Sequence, residues 1–158
     1  MVKTTPTTIV LDTNVCLDLF VFRDERWQRL YSALTDGFVQ AFTSTACRAE
    51  WLAVLDYARF DLTLEKKRRC TEEFDALIKI GRTEDELRKG YSFLATARTT
   101  LPRCSDCDDQ KFLELAFDTG ATSLITKDKA LLKLNGKCRR GGLFDVVKPE
   151  TWIASLAA

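Results

Sequence analysis

The chain contains no histidine. Ser-His-Asp and Cys-His catalysis are therefore closed to it, and no imidazole can act as general base or metal ligand. Any chemistry must run through carboxylates, Lys, Tyr, Cys or a bound metal. Long hydrophobic runs are missing too: none reaches the roughly 18 uninterrupted apolar residues that mark a membrane span. The opening Met1-Val2-Lys3-Thr4-Thr5-Pro6 is polar, and the apolar run behind it meets Asp12 too early for a signal peptide, so the expectation is a cytoplasmic protein with no membrane partner. Neither sign of charge dominates. The 24 Lys and Arg stand against 23 Asp and Glu, a net charge of +1, so any nucleic-acid site has to be local. The six cysteines (16, 47, 70, 104, 107 and 138) read as reduced thiols. Cys104 and Cys107 form a C-x-x-C pair, but a structural zinc site wants a second pair or histidines. Zinc or redox use is the minority reading of that pair.

What remains is enough for a core. A chain of 158 residues, 46% of them hydrophobic, fits one domain spanning 1–158. Thr7 to Leu11 is β-branched and apolar and predicts a buried strand, ending in the turn chemistry of Asp12-Thr13-Asn14. Trp27, Leu30, Tyr31 and Leu34 recur at helical spacing, with Gly37 as a stop. Phe38 to Thr43 predicts a second strand. Ser44 or Thr45 can cap a helix carrying Ala46, Ala49, Leu52 and Ala53. Residues 61 to 98 read as helical and charged, with Leu64, Cys70, Phe74, Leu77 and Ile78 as the apolar stripe, Gly81 as punctuation, and Thr83-x-x-Glu86 as a capping box. Thr99 to Leu101 predicts a short strand. Ser105 to Asp109 opens a helix that Gly120 ends. Ser123 to Thr126 predicts a strand, Lys129 to Leu134 a short helix, Leu143 to Val147 a last strand, and Pro149 the start of a terminal helix. Asn135 to Gly142 reads as a loose basic loop. Strands alternating with helices predict an α/β fold with a mainly parallel sheet.

In such sheets ligands bind beyond the carboxyl ends of the strands. Four acids fall there: Asp12 directly after the first strand, Asp128 just after the strand Ser123–Thr126, Glu50 in the second turn of its helix, and Asp109 in the first turn of its helix. Clustered carboxylates repel unless protonated or shared with a cation. All-oxygen donors suit Mg²⁺ or Mn²⁺, which can polarise a phosphate oxygen and position water. Each acid also has a plainer reading. Asp12 and Asn14 fit Asx-turns, Asp106 and Asp109 fit helix-start acids, Glu50 fits a solvated charge, and Asp128 fits a cap. Their agreement on one rim favours a phosphodiester-hydrolysing site.

Ile9-Val10-Leu11-Asp12-Thr13-Asn14-Val15 resembles the opening strand of the PIN-domain ribonucleases. Ser44 with Glu50 resembles that family's second block, Asp109-Gln110-Lys111-Phe112-Leu113-Glu114-Leu115-Ala116 its third, and Leu124-Ile125-Thr126-Lys127-Asp128 its fourth. Lys148-Pro149-Glu150 with Trp152 resembles the closing segment. The run Asp106-Cys107-Asp108-Asp109-Gln110-Lys111-Phe112 is similar to one in the subgroup of toxin components of toxin–antitoxin systems. Cys107 stands where that subgroup has Pro and Gln110 where an acid is common, so Asp108 and Asp109 both compete for the third acidic place, with Asp109 the better fit.

The resemblance implies a three-layer α/β/α domain that cleaves single-stranded RNA with Mg²⁺ or Mn²⁺. It implies that Asp12, Asp109 and Asp128 hold metal and that Glu50 completes the cluster. Asn14, Ser44 and Thr126 would hydrogen-bond carboxylates or phosphate. Asp106 would be a cap or an auxiliary acid. Lys127, Lys129, Arg139 and Arg140 would hold RNA phosphates. An antitoxin protein and a second copy of the chain are the partners it admits. The run Lys66-Lys67-Arg68-Arg69 reads instead as a solvated face paired with Glu65, Glu72 and Glu73. Two rival functions stand beside this one. One is a PIN-like protein-binding module without catalysis. The other is a phosphatase of the haloacid dehalogenase type, disfavoured because Asn14 occupies the place of the second Asp in D-x-D.

Overall fold

Alternation along one strand sets up the architecture. Thr7–Leu11 forms β1, and its buried residues point both ways: Ile9 and Leu11 into one apolar cluster, Val10 into another. A strand buried on both faces must lie inside a sheet that is covered on both sides. The computed structural model describes residues 6–81 and 100–156 and contains a five-stranded, all-parallel sheet of order β3-β2-β1-β4-β5. The other strands are β2 (Val39–Thr43), β3 (Ile78–Ile80), β4 (Ser123–Ile125) and β5 (Asp145–Val147). The register pairs Val10 with Phe42 on one side and with Leu124 on the other, which places β1 at the centre.

Helices close both faces. On the Ile9 side lie α1 (Thr13–Cys16), α2 (Gln28–Thr35), α3 (Thr45–Leu55), α4 (Leu64–Leu77) and α8 (Pro149–Ser155). Their core centres on Phe20, Trp51 and Phe74, with Trp51 stacked on Phe74 at 5.2 Å between centroids and Phe20 edge-on to both. On the Val10 side lie α5 (Gln110–Thr119), α6 (Lys129–Leu132) and α7 (Asn135–Arg140), which bury Phe112, Leu113, Ala116, Leu131 and Cys138. The result is a three-layer α/β/α fold. Gly37 (φ 73°) and Gly120 (φ 65°) end their helices in the left-handed conformation that glycine adopts without steric cost. Ser44 caps α3 by accepting from the Cys47 N–H, and Pro149 opens α8.

Several expectations are corrected. The α3 helix buries Cys47, Trp51, Val54 and Leu55, whereas Ala46, Ala49 and Ala53 are exposed and Leu52 is half-buried. The small alanines left the aromatic and branched positions to face the core. Ile78 is not the end of a helical stripe: residues 78–80 pair with Ala41–Thr43 and add an edge strand. Leu64 lies on the surface at 85% exposure. Thr100 is a turn and Leu101 a bend, so neither belongs to the sheet. The basic stretch at 135–140 is a helix pinned by buried Cys138, not a loose loop. The charged stretch of α4 behaves as a solvated face: Arg68 pairs with Glu65 and Glu72, Lys67 with Asp56, and Glu73 with Arg23. The helical reading over 82–98, its capping box and Thr99 lie outside the described residues.

Candidate active site

The strand order places the site. From β1 the chain steps outward to β2 and β3, then crosses back to the other side for β4 and β5. Loops leaving the carboxyl ends of β1 and β4 therefore part in opposite directions and open a crevice between them. Asp12 leaves β1 and Asp128 follows β4, so both border this crevice.

Asp12 is 5% exposed and tightly held. Its N–H donates to the Ile125 carbonyl at 3.0 Å, bridging the two strands. Its Oδ1 accepts from the Thr13 N–H at 2.7 Å and its Oδ2 from the Thr126 hydroxyl at 2.6 Å. Thr126, fully buried, also accepts from the Asp128 N–H at 2.9 Å. One hydroxyl thus fixes Asp12 and the start of the Asp128 loop together. Asp128 caps α6 by accepting at Oδ1 from the Ala130 and Leu131 N–H groups. Glu50 comes from α3, with Thr13 Oγ1 donating to Oε2 and Lys111 Nζ donating to Oε1 at 3.1 Å. Asp109 sits at the junction of a short 3₁₀ turn, Cys107–Asp109, with α5, and its side chain makes no capping bond. The capping readings of Asp106 and Asp128 are therefore correct as local structure, Asp12 caps α1 through the Thr13 N–H instead of forming the expected Asx-turn, and Asp109 is the helix-start acid left free of capping.

The electrostatics couple these acids to one another. Burial pushes Asp12 up to about 6; the Thr126 and Thr13 hydrogen bonds lower it, and the charges of Glu50 and Asp128 raise it further. Asp109 is pushed up to about 7, by burial first and then by Asp12, Asp128, Asp106 and Glu50. Asp108 is exposed, and its N–H donates to Asp106, the cap of the 3₁₀ turn. The geometry thus favours Asp109 over Asp108. Among the described residues one trio, Asp106, Cys107 and Asp108, has ligand atoms within 4.8 Å of one another, but it is exposed, and the Asp12 cluster is more open.

The donor set fits a hard divalent ion. It is all oxygen, its carboxylates repel one another, and the Oδ1 of Asn14, two residues after Asp12, is buried without a hydrogen-bond partner among the described residues. A cluster of mutually repelling acids of this kind makes folding pH-dependent. Asp12 and Asp109 hold protons in the fold at pH values where the unfolded chain has released them. Their stability contribution is therefore full below pH 3.8 and is lost as pH rises through about 6 and 7. The metal-free protein is expected to melt about 5 °C lower at pH 8 than at pH 5. Thermal unfolding at the two pH values checks this, and an equal or higher melting temperature at pH 8 contradicts it.

The PIN domain family matches residues 8–130, more than half of the chain. The chain belongs to the PIN-domain family. No curated protein matches it. PIN domains are in general nucleases, hydrolases acting on RNA, usually with divalent metals. In this PIN domain the fold brings Asp12, Glu50, Asp109, Asp128, Thr126 and Asn14 to one rim, while Ser44 serves as the α3 cap. Lys127 is ion-paired to Asp18 at 2.6 Å, and Lys129 is exposed on α6. Arg139 and Arg140 are not brought there. They end α7, and Arg139 pairs at 3.4 Å with Asp145, the first residue of β5, at the opposite, amino end of the sheet. A helix runs back across the sheet before the next strand begins, so closeness in sequence to Asp128 did not carry over.

Three residues escaped the sequence reading. Thr13 and Lys111 hold Glu50. Asp18 lies in the π-helical turn Leu17–Val21 that continues α1, and it accepts from Trp27 Nε1 at 3.1 Å as well as from Lys127. An acid inside the apolar run Val15–Val21 was the available signal for Asp18, since a buried carboxylate needs a partner. Beside the rim, a hollow of about 780 Å³ is lined by Arg26, Trp27, Lys127, Lys148, Glu150, Ile153 and Ala154. Among the described residues no helix is long and apolar enough to cross a membrane.

Proposed function

We propose that this PIN domain, residues 1–158, is a divalent-metal-dependent endoribonuclease that hydrolyses phosphodiester bonds in single-stranded RNA. Asp12, Glu50, Asp109 and Asp128 are its catalytic and ion-holding carboxylates. The observation that carries the reading is the coupled acidic rim, in which Asp109 is raised to about 7 by burial and by four neighbouring acids. A bound Mg²⁺ or Mn²⁺ supplies Lewis-acid charge against a phosphate oxygen and lowers the pKa of bound water. The chain's own residues do the rest. Thr126 locks Asp12 and the Asp128 loop in one frame, Asn14 offers an oxygen with no partner among the described residues, and Glu50 orients the attacking water.

The neighbouring hollow supports an RNA substrate. It places Arg26, Lys127 and Lys148 around an apolar wall of Trp27 and Ile153, which suits a phosphate chain with an unstacked base. Arg26 and Lys127 are steered by Asp24 and Asp18, whereas Lys148 has no ion-pair partner among the described residues. The toxin role, with an antitoxin partner, follows from the resemblance of the Asp106–Phe112 run. A neighbouring gene for a small DNA-binding or helical protein is its test.

The activity is tested by incubating the pure protein with a labelled single-stranded RNA and its matched duplex. Internal cleavage of the single strand is expected with Mg²⁺ or Mn²⁺, with loss in excess chelator and recovery on adding metal back. Cleavage that persists in chelator, or no cleavage with either ion, contradicts the proposal.

A further inference from the structure

Both oxygens of Glu50 are already occupied. Thr13 donates to one, and the Lys111 ammonium lies 3.1 Å from the other. The Lys111 and Glu50 side chains are 24% and 29% exposed, so their pairing is only partly screened by water. Among the described residues, Lys111 is the only cation ion-paired to one of the four rim acids. We infer that Lys111 is a resident counter-ion of the acidic rim, competing with the divalent cation for Glu50. The inference rests on the metal-site reading given above.

The local geometry suits a removable charge. Lys111 is the second residue of α5, directly behind Asp109 and Gln110, so its stem starts at the rim. Its ammonium also donates to the Asp108 carbonyl at 2.6 Å and lies 5.4 Å from the Phe112 ring centroid. These two contacts do not involve Glu50. They hold the ammonium near the rim when Glu50 turns to a metal ion. In the metal-free protein Lys111 offsets part of the repulsion among the acids. When the ion arrives, the same positive charge opposes it, and the Glu50 pair has to open.

A purely structural role makes the opposite prediction. If Lys111 only positions Glu50, losing it weakens metal binding. If it competes, losing it strengthens binding. The experiment is calorimetric titration of Mn²⁺ into the metal-free full chain at pH 7.5, for wild type, Lys111→Met and Lys111→Arg, with Lys111→Gln replacing the Met variant should that fail to fold. The expected result is about three- to tenfold tighter Mn²⁺ binding by the Met or Gln variant. Lys111→Arg should bind like wild type. The neutral variant should also melt lower than wild type without metal and recover in saturating Mn²⁺. Equal or weaker Mn²⁺ binding by the neutral variants overturns the inference and leaves the metal site standing, provided wild type binds and Asp12→Asn does not. Absence of Mn²⁺ binding by wild type overturns both.

Discussion

Asp12→Asn is expected to lower cleavage of single-stranded RNA by about 10³-fold or more. The fold should survive the change. The Asn oxygen can still accept from the Thr13 N–H that Asp12 Oδ1 receives at 2.7 Å, and its amide can donate to Thr126 Oγ1. What is lost is the charge that attracts an ion. That charge is costly in the metal-free protein, because burial and the neighbouring Glu50 and Asp128 all disfavour it. The variant should therefore melt at or above the wild-type temperature at pH 7.5 without metal. Cleavage assays and thermal unfolding read the two effects separately. An unfolded variant, or one that cleaves at the wild-type rate, counts against a role in holding metal.

The second large effect is on the scaffold that delivers Glu50. Trp51 follows Glu50 on α3, is 1% exposed and stacks on Phe74 at 5.2 Å. Trp51→Ala should cost about 3–5 kcal/mol, because the cavity between Phe20 and Phe74 cannot collapse around both rings. Trp51→Phe should cost far less: the indole N–H is buried without a partner among the described residues, so no hydrogen bond to them is lost with it. Urea unfolding gives both values. A loss below about 1 kcal/mol for the Ala variant would mean that α3 is not anchored through this ring.

The difference between what could and could not be read from sequence has physical causes. The run Thr7–Leu11 has only one good conformation, because β-branched residues bounded by turn chemistry pack as a buried strand, and β1 has those limits in the structure. Ser44, Gly37, Gly120 and Pro149 act locally, through capping or backbone freedom, and were legible for that reason. The strand Ile78–Ile80 was not legible. Its pairing partner lies near residue 41, far away in sequence, and such a partner overrides the helical pattern that precedes it. The inward face of α3 was misjudged because Ala46, Ala49 and Ala53 with Leu52 looked like a stripe, while Trp51 outweighs several methyl groups once tertiary contacts form.

At the site, the placement of Asp12 and Asp128 was legible from strand ends, and that of Glu50 and Asp109 from the early turns of their helices. Their partners were not. Thr13 and Lys111 meet Glu50 across 37 and 61 residues of chain, and no local pattern announces such contacts. The same limit explains Arg139 and Arg140. Chain proximity to Asp128 suggested a shared edge, but α7 carries them to the far end of the sheet.

The most direct test of the acidic rim is Mn²⁺ binding, followed by electron paramagnetic resonance at pH 7.5, for the wild-type protein and for Asp12→Asn, Glu50→Gln, Asp109→Asn and Asp128→Asn. The account predicts saturable binding by wild type and a loss of about tenfold or more in affinity for each variant, with Asp108→Asn unchanged. No saturable binding by wild type, or wild-type affinity in all four variants, would contradict it.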